Sequence, residues 1–256
     1  MEIDIKKLIK AAHAGGEVLK KYFGQTLDIV EKNDASDYQT KADIESEAAI
    51  LKHIKLDFSD FNIHSEEDGI TDKKSEYTVV IDPLDGTNNF VLGVPYVSVC
   101  IAVLKNKKTI AGVVHNPITN QTFQAELGKG AYLEGKKLSV GNESDIARVT
   151  VSYTQGYKHS NYTEGEMLSK LESLDLKRAI TMWSPGLDYC LLALGRIEAV
   201  VTNQNEIYDY AAGKLIALEA GAKITKFDGT TDKEDLNDKF VISNGTEIHK
   251  KILNIL

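Results

Sequence analysis

The run Val79-Val80-Ile81-Asp82-Pro83-Leu84-Asp85-Gly86-Thr87-Asn88-Asn89-Phe90 sets two carboxylates three residues apart where an apolar strand ends. Oxygen ligands grouped in this way suit a hard divalent cation such as Mg2+. Pro83 stiffens the turn and bars a central strand ladder from continuing. Gly86 lets backbone approach a bound group closely. If a helix starts after it, the N–H groups of Gly86 and Thr87 are free to hold phosphate oxygens. The same pattern fits an acidic strand-to-helix turn with capping aspartates.

Three further elements carry acids. Ser65-Glu66-Glu67-Asp68-Gly69 follows the strand Phe61 to His64 and crowds three carboxylates into one turn, which needs a cation or solvent to relieve it. Tyr208-Asp209-Tyr210-Ala211-Ala212-Gly213 puts Asp209 where an N-cap would stand. Thr40-Lys41-Ala42-Asp43 puts Asp43 in the first turn of a helix, where its charge is favoured. Taken singly, each also reads as an ordinary solvated turn or cap.

The elements that must position these acids alternate. Apolar spacing predicts a helix from Ile5 to Phe23, stopped by Gly24, and a second from about Thr40 to Lys55 with Ile44, Ala48, Leu51 and Ile54 on one face. Between them, Leu27 to Gln39 is polar and reads as a hairpin or a mobile loop; its mixed charges favour the loop over Glu31 to Gln39. Short β-rich runs follow at 61–64, 77–82, 97–104 and 110–115, with a hairpin turn at Lys105 to Lys108. The second half opens near Ile146. It reads as strands at 149–153, 179–182, 199–201, 223–227 and 240–242, and as helices at 164–174, from Ser184-Pro185 to Leu194, from Asp209 to Glu219 and at 245–256. Such alternation predicts a layered α/β architecture.

Bulk properties narrow the partners. The 256 residues carry a formal net charge of −8 and no Lys/Arg-rich block, which argues against a nucleic-acid partner. No stretch reaches transmembrane length and no signal-peptide core precedes the first helix, so a cytoplasmic location without membrane attachment is expected. The two cysteines, Cys100 and Cys190, lie in apolar runs and read as buried free thiols.

In combination, the four acidic elements resemble the inositol monophosphatase family. Its pattern is an acidic turn, then DPxDGTxNF, then WDxAAG; here these stand as Ser65-Glu66-Glu67, Asp82 to Phe90 and Tyr208 to Gly213. Ser184 to Arg196 and Leu218 to Gly221 are similar to two further family segments, so the resemblance spans nearly the whole chain. It implies a Mg-dependent, lithium-sensitive phosphatase on an α-β-α-β-α sandwich of the inositol monophosphatase and fructose-1,6-bisphosphatase type, with halves 1–145 and 146–256 packed as one unit. The implied ligands are Glu66, Asp82 and the Leu84 carbonyl for one Mg2+, and Asp82, Asp85 and Asp209 for a second, with a third, weaker ion near Glu66. Asp43 and Thr87 would deprotonate the attacking water, and Asp85, Gly86 and Thr87 would meet the phosphate. A homodimer is also implied. The implied substrate is a small phosphate monoester, among inositol 1-phosphate, fructose 1,6-bisphosphate, histidinol phosphate and 3′-phosphoadenosine 5′-phosphate. The departures fall on the substrate wall: around the retained Ser184, Trp183 replaces a glycine and Pro185 and Gly186 replace two alanines, Tyr208 replaces tryptophan, and Thr202 stands where inositol-specific members carry a glutamate, with Glu206 nearby.

Overall fold

Along Tyr77–Asp85, Val79 and Ile81 enter one apolar core while Val80 enters another. That period of two is what a strand buried on both faces must show. Ser98–Lys105 repeats it, with Val99, Ile101 and Val103 in the first core and Cys100, Ala102 and Leu104 in the second. These two strands are the centre of a large sheet that has helices on both sides.

The computed structural model describes residues 3–34, 37–157, 163–231 and 235–256. In chain order the first half gives α1 (Ile5–Tyr22), the pair β1 (Ile29–Asp34) and β2 (Asp37–Thr40), α2 (Lys41–Asp57), β3 (Asn62–Ser65), β4 (Gly69–Thr71), β5 (Tyr77–Asp85) and α3 (Thr87–Leu92). It continues with β6 (Ser98–Lys105), β7 (Lys108–Asn116), β8 (Gln121–Glu126), β9 (Gly130–Leu133) and β10 (Lys136–Lys137). The second half gives β11 (Thr150–Gln155), α4 (Glu164–Glu172), β12 (Arg178–Ile180), α5 (Pro185–Ala193), β13 (Ala199–Asn203), α6 (Ile207–Glu219), β14 (Lys223–Lys226), β15 (Lys239–Ser243) and α7 (Glu247–Leu253).

An eight-stranded sheet runs β10-β9-β8-β7-β6-β5-β3-β4, and a five-stranded sheet runs β12-β11-β13-β15-β14. Leu8, Ala12, Ile50 and Ile54 of α1 and α2 pack on the outer face of the first. Leu187 and Cys190 of α5 and Ala211, Leu215 and Ile216 of α6 pack on its inner face. The opposite side of the same two helices meets Val200, Phe240 and Ile242 of the second sheet. Met167, Leu171, Ile248 and Ile252 of α4 and α7 close the far side. The layers are thus α-β-α-β-α, as the resemblance implies. Both cysteines are buried and free.

The middle layer approaches its neighbours with almost nothing in between. A Cβ on Gly112 of β7 would lie 3.0 Å from the Ala212 backbone, and one on Gly213 would lie 2.6 Å from the Tyr189 ring. Helix α6 therefore rests directly on the sheet and on α5.

Three expectations need correction. β5 continues through Pro83 to Asp85 instead of stopping, because a register shift between Asp82 and Asp85 absorbs the residue that cannot donate. The described residues of the stretch 31–39 are paired strand and not loop: β1 and β2 pair antiparallel, as Ile29 with Thr40 and Glu31 with Tyr38, as a separate two-stranded sheet, while Ala35 and Ser36 lie outside the described residues. The buried face of α2 coincides with the one that apolar spacing picks out only in its second half, at Leu51 and Ile54. Ile44 is exposed and Ala48 faces outward, while Asp43, Ser46 and Glu47 are buried with Ile50, Leu51 and Ile54. That face is polar because it serves the site.

Candidate active site

β5 delivers Asp82 and Asp85 at its C-terminal end, and Gly86, at φ 90°, turns the chain into α3. A left-handed backbone there is open to glycine at no steric cost. The close fit adds a second demand: a Cβ on Gly86 would lie 3.1 Å from Ser184 Cβ and from the carbonyl oxygens of Trp183 and Tyr96. The β3 strand, parallel to β5, brings up Glu66, whose N–H donates to the Ile81 carbonyl. From the middle layer, α6 presents Asp209 in its first turn.

These four acids repel one another across a site that excludes most water. Burial raises the Asp82 carboxyl well above the ordinary range, and Glu66, Asp85 and Asp209 add to the shift. Asp209 is raised by burial and then by Glu66 and Asp85. Burial pushes Glu66 up to about 7, against the pull of Lys32, and Asp85 up to about 6, against its hydrogen bonds. An all-oxygen, net-negative donor set of this kind fits Mg2+.

Each acid is also held from outside. Asp85 Oδ2 accepts the hydroxyls of Ser184 (2.6 Å) and Ser98 (2.7 Å) and the Gly186 N–H (3.1 Å). Asp82 Oδ1 accepts the Leu84 N–H at 3.0 Å, and Asp209 Oδ2 accepts the Glu206 N–H at 2.8 Å. Lys32 Nζ on β1 donates to Glu66 at 2.8 Å and to Glu67 at 2.7 Å. Burial opposes its charge, yet the two glutamates hold its pKa above the ordinary lysine value. Among the described residues, no three acid, imidazole or thiol groups stand ready-made around one cation.

Asp43 lies behind this cluster. Its Oδ2 accepts the N–H (2.8 Å) and hydroxyl (2.6 Å) of Thr40, closing a capping box at the start of α2. Its Oδ1 is left to accept the Thr87 hydroxyl at 3.1 Å, and that hydroxyl also reaches the Leu84 carbonyl at 3.1 Å. Burial pushes Asp43 up to about 6. Glu47 supports the turn by accepting from Ser65 and from the Glu67 and Asp68 amides, and Ser46 donates to the Pro83 carbonyl at 2.8 Å.

The structure thus gathers Asp43, Glu66, Asp82, Leu84, Asp85, Gly86, Thr87 and Asp209. The expected substrate wall divides. Trp183 is half exposed, at φ 55°. That conformation is rare for a bulky residue. Pro185 is the first residue of α5, and Glu206 is the N-cap of α6, partly exposed beside Asp209. Ser184 is fully buried, and its hydroxyl is committed to Asp85 rather than to an open wall. Thr202 does not line an accessible wall either: it is fully buried on β13, with its hydroxyl 2.6 Å from Tyr189 Oη. His64 sets its ring edge-on to Tyr208 and has its pKa lowered by burial.

Sequence reasoning missed Ser98, the Gly186 N–H that holds Asp85 and the pairing of Lys32, and it missed Tyr38, whose hydroxyl donates to Asn88 at 2.7 Å. Only Gly186 left a signal, as a departure from the family's alanine. A Cβ there would meet Cys100 Sγ at 2.5 Å and Asp85 Oδ2 at 2.8 Å.

The family model for the inositol monophosphatase family matches residues 2–256. The chain belongs to the inositol monophosphatase family. Among its relatives, the fructose-1,6-bisphosphatase/inositol-1-monophosphatase of Thermotoga maritima is 32% identical over 256 residues, covering 100% of this chain and 95% of that protein. The Nus factor SuhB of Vibrio cholerae is 36% identical over 234 residues, 88% of this chain and 85% of that protein. Among solved structures, the Thermotoga maritima IMPase superimposes with a TM-score of 0.87 at 31% identity, covering 96% of this chain and 94% of that one. Membership in the inositol monophosphatase family supports a phosphatase on this fold, and no helix among the described residues is long and apolar enough to cross a membrane.

Proposed function

We propose that this protein is a Mg2+-dependent phosphomonoesterase that accepts several small polyol and sugar phosphates. The observation that carries this reading is the Thr87–Asp43 hydrogen bond standing beside four mutually repelling acids. Glu66, Asp82, Asp85, Asp209 and the Leu84 carbonyl are the groups that would hold the cations, two with a third near Glu66. Bound there, Mg2+ supplies the positive charge that lowers the pKa of water and balances charge on phosphoryl oxygens.

The chain's own residues do the rest. Thr87 orients the attacking water and hands its proton toward Asp43. Burial has brought Asp43 to about 6, close to neutral pH, as a general base requires. The capping box fixes Asp43 by its other oxygen, so it faces Thr87 in one orientation. Asp85, Gly86 and Thr87 flank the phosphate.

Breadth of substrate follows from the wall. Thr202, buried against Tyr189, offers no carboxylate to substrate hydroxyls, and a site without buried partners for hydroxyls discriminates weakly among them. Trp183 offers a half-exposed ring, and Glu206 stands partly exposed beside Asp209. Inhibition by Li+, a homodimer and a cytoplasmic location are part of the same reading. Some relatives bear the name Nus factor, and a regulatory role on the same scaffold is the second reading; the retained Thr87–Asp43 pair favours catalysis, since a binder has no need of it.

The test is turnover of inositol 1-phosphate, glycerol 2-phosphate, fructose 1,6-bisphosphate and 3′-phosphoadenosine 5′-phosphate, with Mg2+ and with excess chelator. Hydrolysis of several esters with Mg2+ alone is expected. Full activity in chelator would overturn the metal reading, and a preference for one ester above about a hundredfold would overturn breadth.

A further inference from the structure

Behind Asp85 lies a carboxylate that the chemistry above does not use. Asp188, in the first turn of α5, is fully buried. Its Oδ1 accepts the Tyr96 hydroxyl at 2.7 Å and its Oδ2 accepts the Ser152 hydroxyl at 2.7 Å. Among the described residues no ammonium or guanidinium pairs with it. A buried carboxyl without a counter-charge is costly to keep, and burial pushes this one up to about 7. An apolar side chain would hold α5 against its neighbours without that cost.

Geometry shows what the carboxyl does. Tyr96 belongs to the segment between α3 and β6, and Ser152 belongs to β11 of the second sheet. Asp188 therefore ties α5 to both halves at once. One turn earlier on the same helix, the Ser184 hydroxyl and the Gly186 N–H grip a single oxygen of Asp85. The connection also closes on itself. Asn89 Nδ2 donates to the Tyr96 carbonyl at 2.8 Å and to the Met182 carbonyl at 2.7 Å, next to Trp183 and Ser184. The resulting ring of contacts, Asp188–Tyr96–Asn89–Met182–Ser184, surrounds Gly86, whose missing Cβ would lie 3.1 Å from Ser184, Trp183 and Tyr96.

We propose that Asp188 is a positioning residue: through Tyr96 and Ser152 it sets the start of α5 so that Ser184 and Gly186 hold one oxygen of Asp85 and leave the other for the cation. The proposal rests on the phosphatase reading of the site. Outer partners of this kind alter metal affinity or activity by about 10- to 100-fold when removed.

The test reads metal binding apart from turnover. The chain has one tryptophan, and Trp183 precedes Ser184, so Mg2+ titrations of the full chain are followed by its fluorescence and by calorimetry. Asp188→Ala is expected to raise the Mg2+ concentration for half-saturation at least about tenfold. Tyr96→Phe and Ser152→Ala should each raise it less, and Asp188→Asn, which keeps an acceptor, should restore most of it. If Asp188→Ala does not fold, the Tyr96→Phe/Ser152→Ala pair carries the test. Lower melting temperatures with unchanged Mg2+ affinity across these variants would overturn the proposal while the phosphatase reading stands. A wild-type chain that binds no Mg2+ and hydrolyses no ester would remove both.

Discussion

Asp85 and Glu66 stand at two ends of one acidic cluster and are held in opposite ways. Asp85 is gripped by neutral donors from the rigid interior: Ser98 on the central sheet and Ser184 and Gly186 on the buried helix α5. Glu66 is held by an ammonium on the two-stranded sheet β1–β2, which no other strand among the described residues joins. Neutral donors fix a carboxylate without cancelling its charge, so Asp85 stays oriented and still attracts a cation. Lys32 cancels charge as it binds, so the Glu66 end is competed for. One end is held by neutral donors; the other is already paired with a charge, so a cation would have to compete for it.

The largest expected effect removes the acid both ends share. Asp82→Asn should lower kcat more than about a hundredfold, beyond what outer partners cost, with retained fold checked by circular dichroism. Activity within tenfold of wild type would mean that the cluster is not the catalytic centre. Next comes the cation. Without it the four acids repel, so Mg2+ at a hundred times its dissociation constant should stabilise the fold by about 2.7 kcal/mol, read as a rise in melting temperature that Na+ at equal ionic strength does not give.

The third pair sharpens the contrast directly. Ser98→Ala loosens the end held by neutral donors and should weaken Mg2+ binding about tenfold. Lys32→Gln removes the competing ammonium and should instead tighten it, by a smaller factor. Calorimetry on both variants would refute the contrast if the two shifts had the same sign.

How much of this was legible follows from what periodicity measures. Apolar spacing located α1 and the central strands, because their burial is paid for by hydrocarbon, and start and stop residues located α5 and α6. It misread the first half of α2, where Asp43, Ser46 and Glu47 are buried through hydrogen bonds to Thr40, Pro83 and Ser65, partners that adjoin only after folding or capping. Thr202 looked like a wall residue by counting back from Asp209, yet strand alternation turns it inward to Tyr189. The acids themselves were legible because their motif is local: Asp82, Asp85 and Thr87 share one strand end. Lys32 was not, because its partners lie 34 and 35 residues away. β8, β9 and β10 escaped notice through short length and mixed polarity.

The smallest effect lies away from the cluster and contrasts with it in sign. His115 and His249 are each 2% exposed, hydrogen-bonded to Thr122 and to Thr225 and Ser243. Burial is the first cause that pushes each imidazole down to about 4 from an unfolded value near 6.5, with His13 adding to the shift at His115. A base whose folded pKa is depressed contributes stability above the unfolded pKa and loses it as pH falls through the folded one. Between about pH 6.5 and 4 the two histidines therefore subtract stability, while the raised carboxyls of the cluster gain it as they protonate. The difference between wild type and His249→Gln isolates the histidine share: the variant's melting temperature should fall less, or rise more, on acidification than the wild type's, and an unaltered slope in that variant counts against the assignment.

The contact of α6 with its surroundings gives the run Asp209 to Gly213 a different meaning from the one its acid invites. Only Asp209 carries charge to the cluster. Ala212 and Gly213 are there for their thinness: 3.0 Å separates the Ala212 backbone from the place where Gly112 would carry a Cβ, and the Tyr189 ring leaves Gly213 no room for one. The helix is a gauge block laid flat on its bed, and the height of the bed sets how far Asp209 projects. An engineer who wished to shift that carboxylate by a fraction of an ångström would leave Asp209 alone and shim the floor at Gly112.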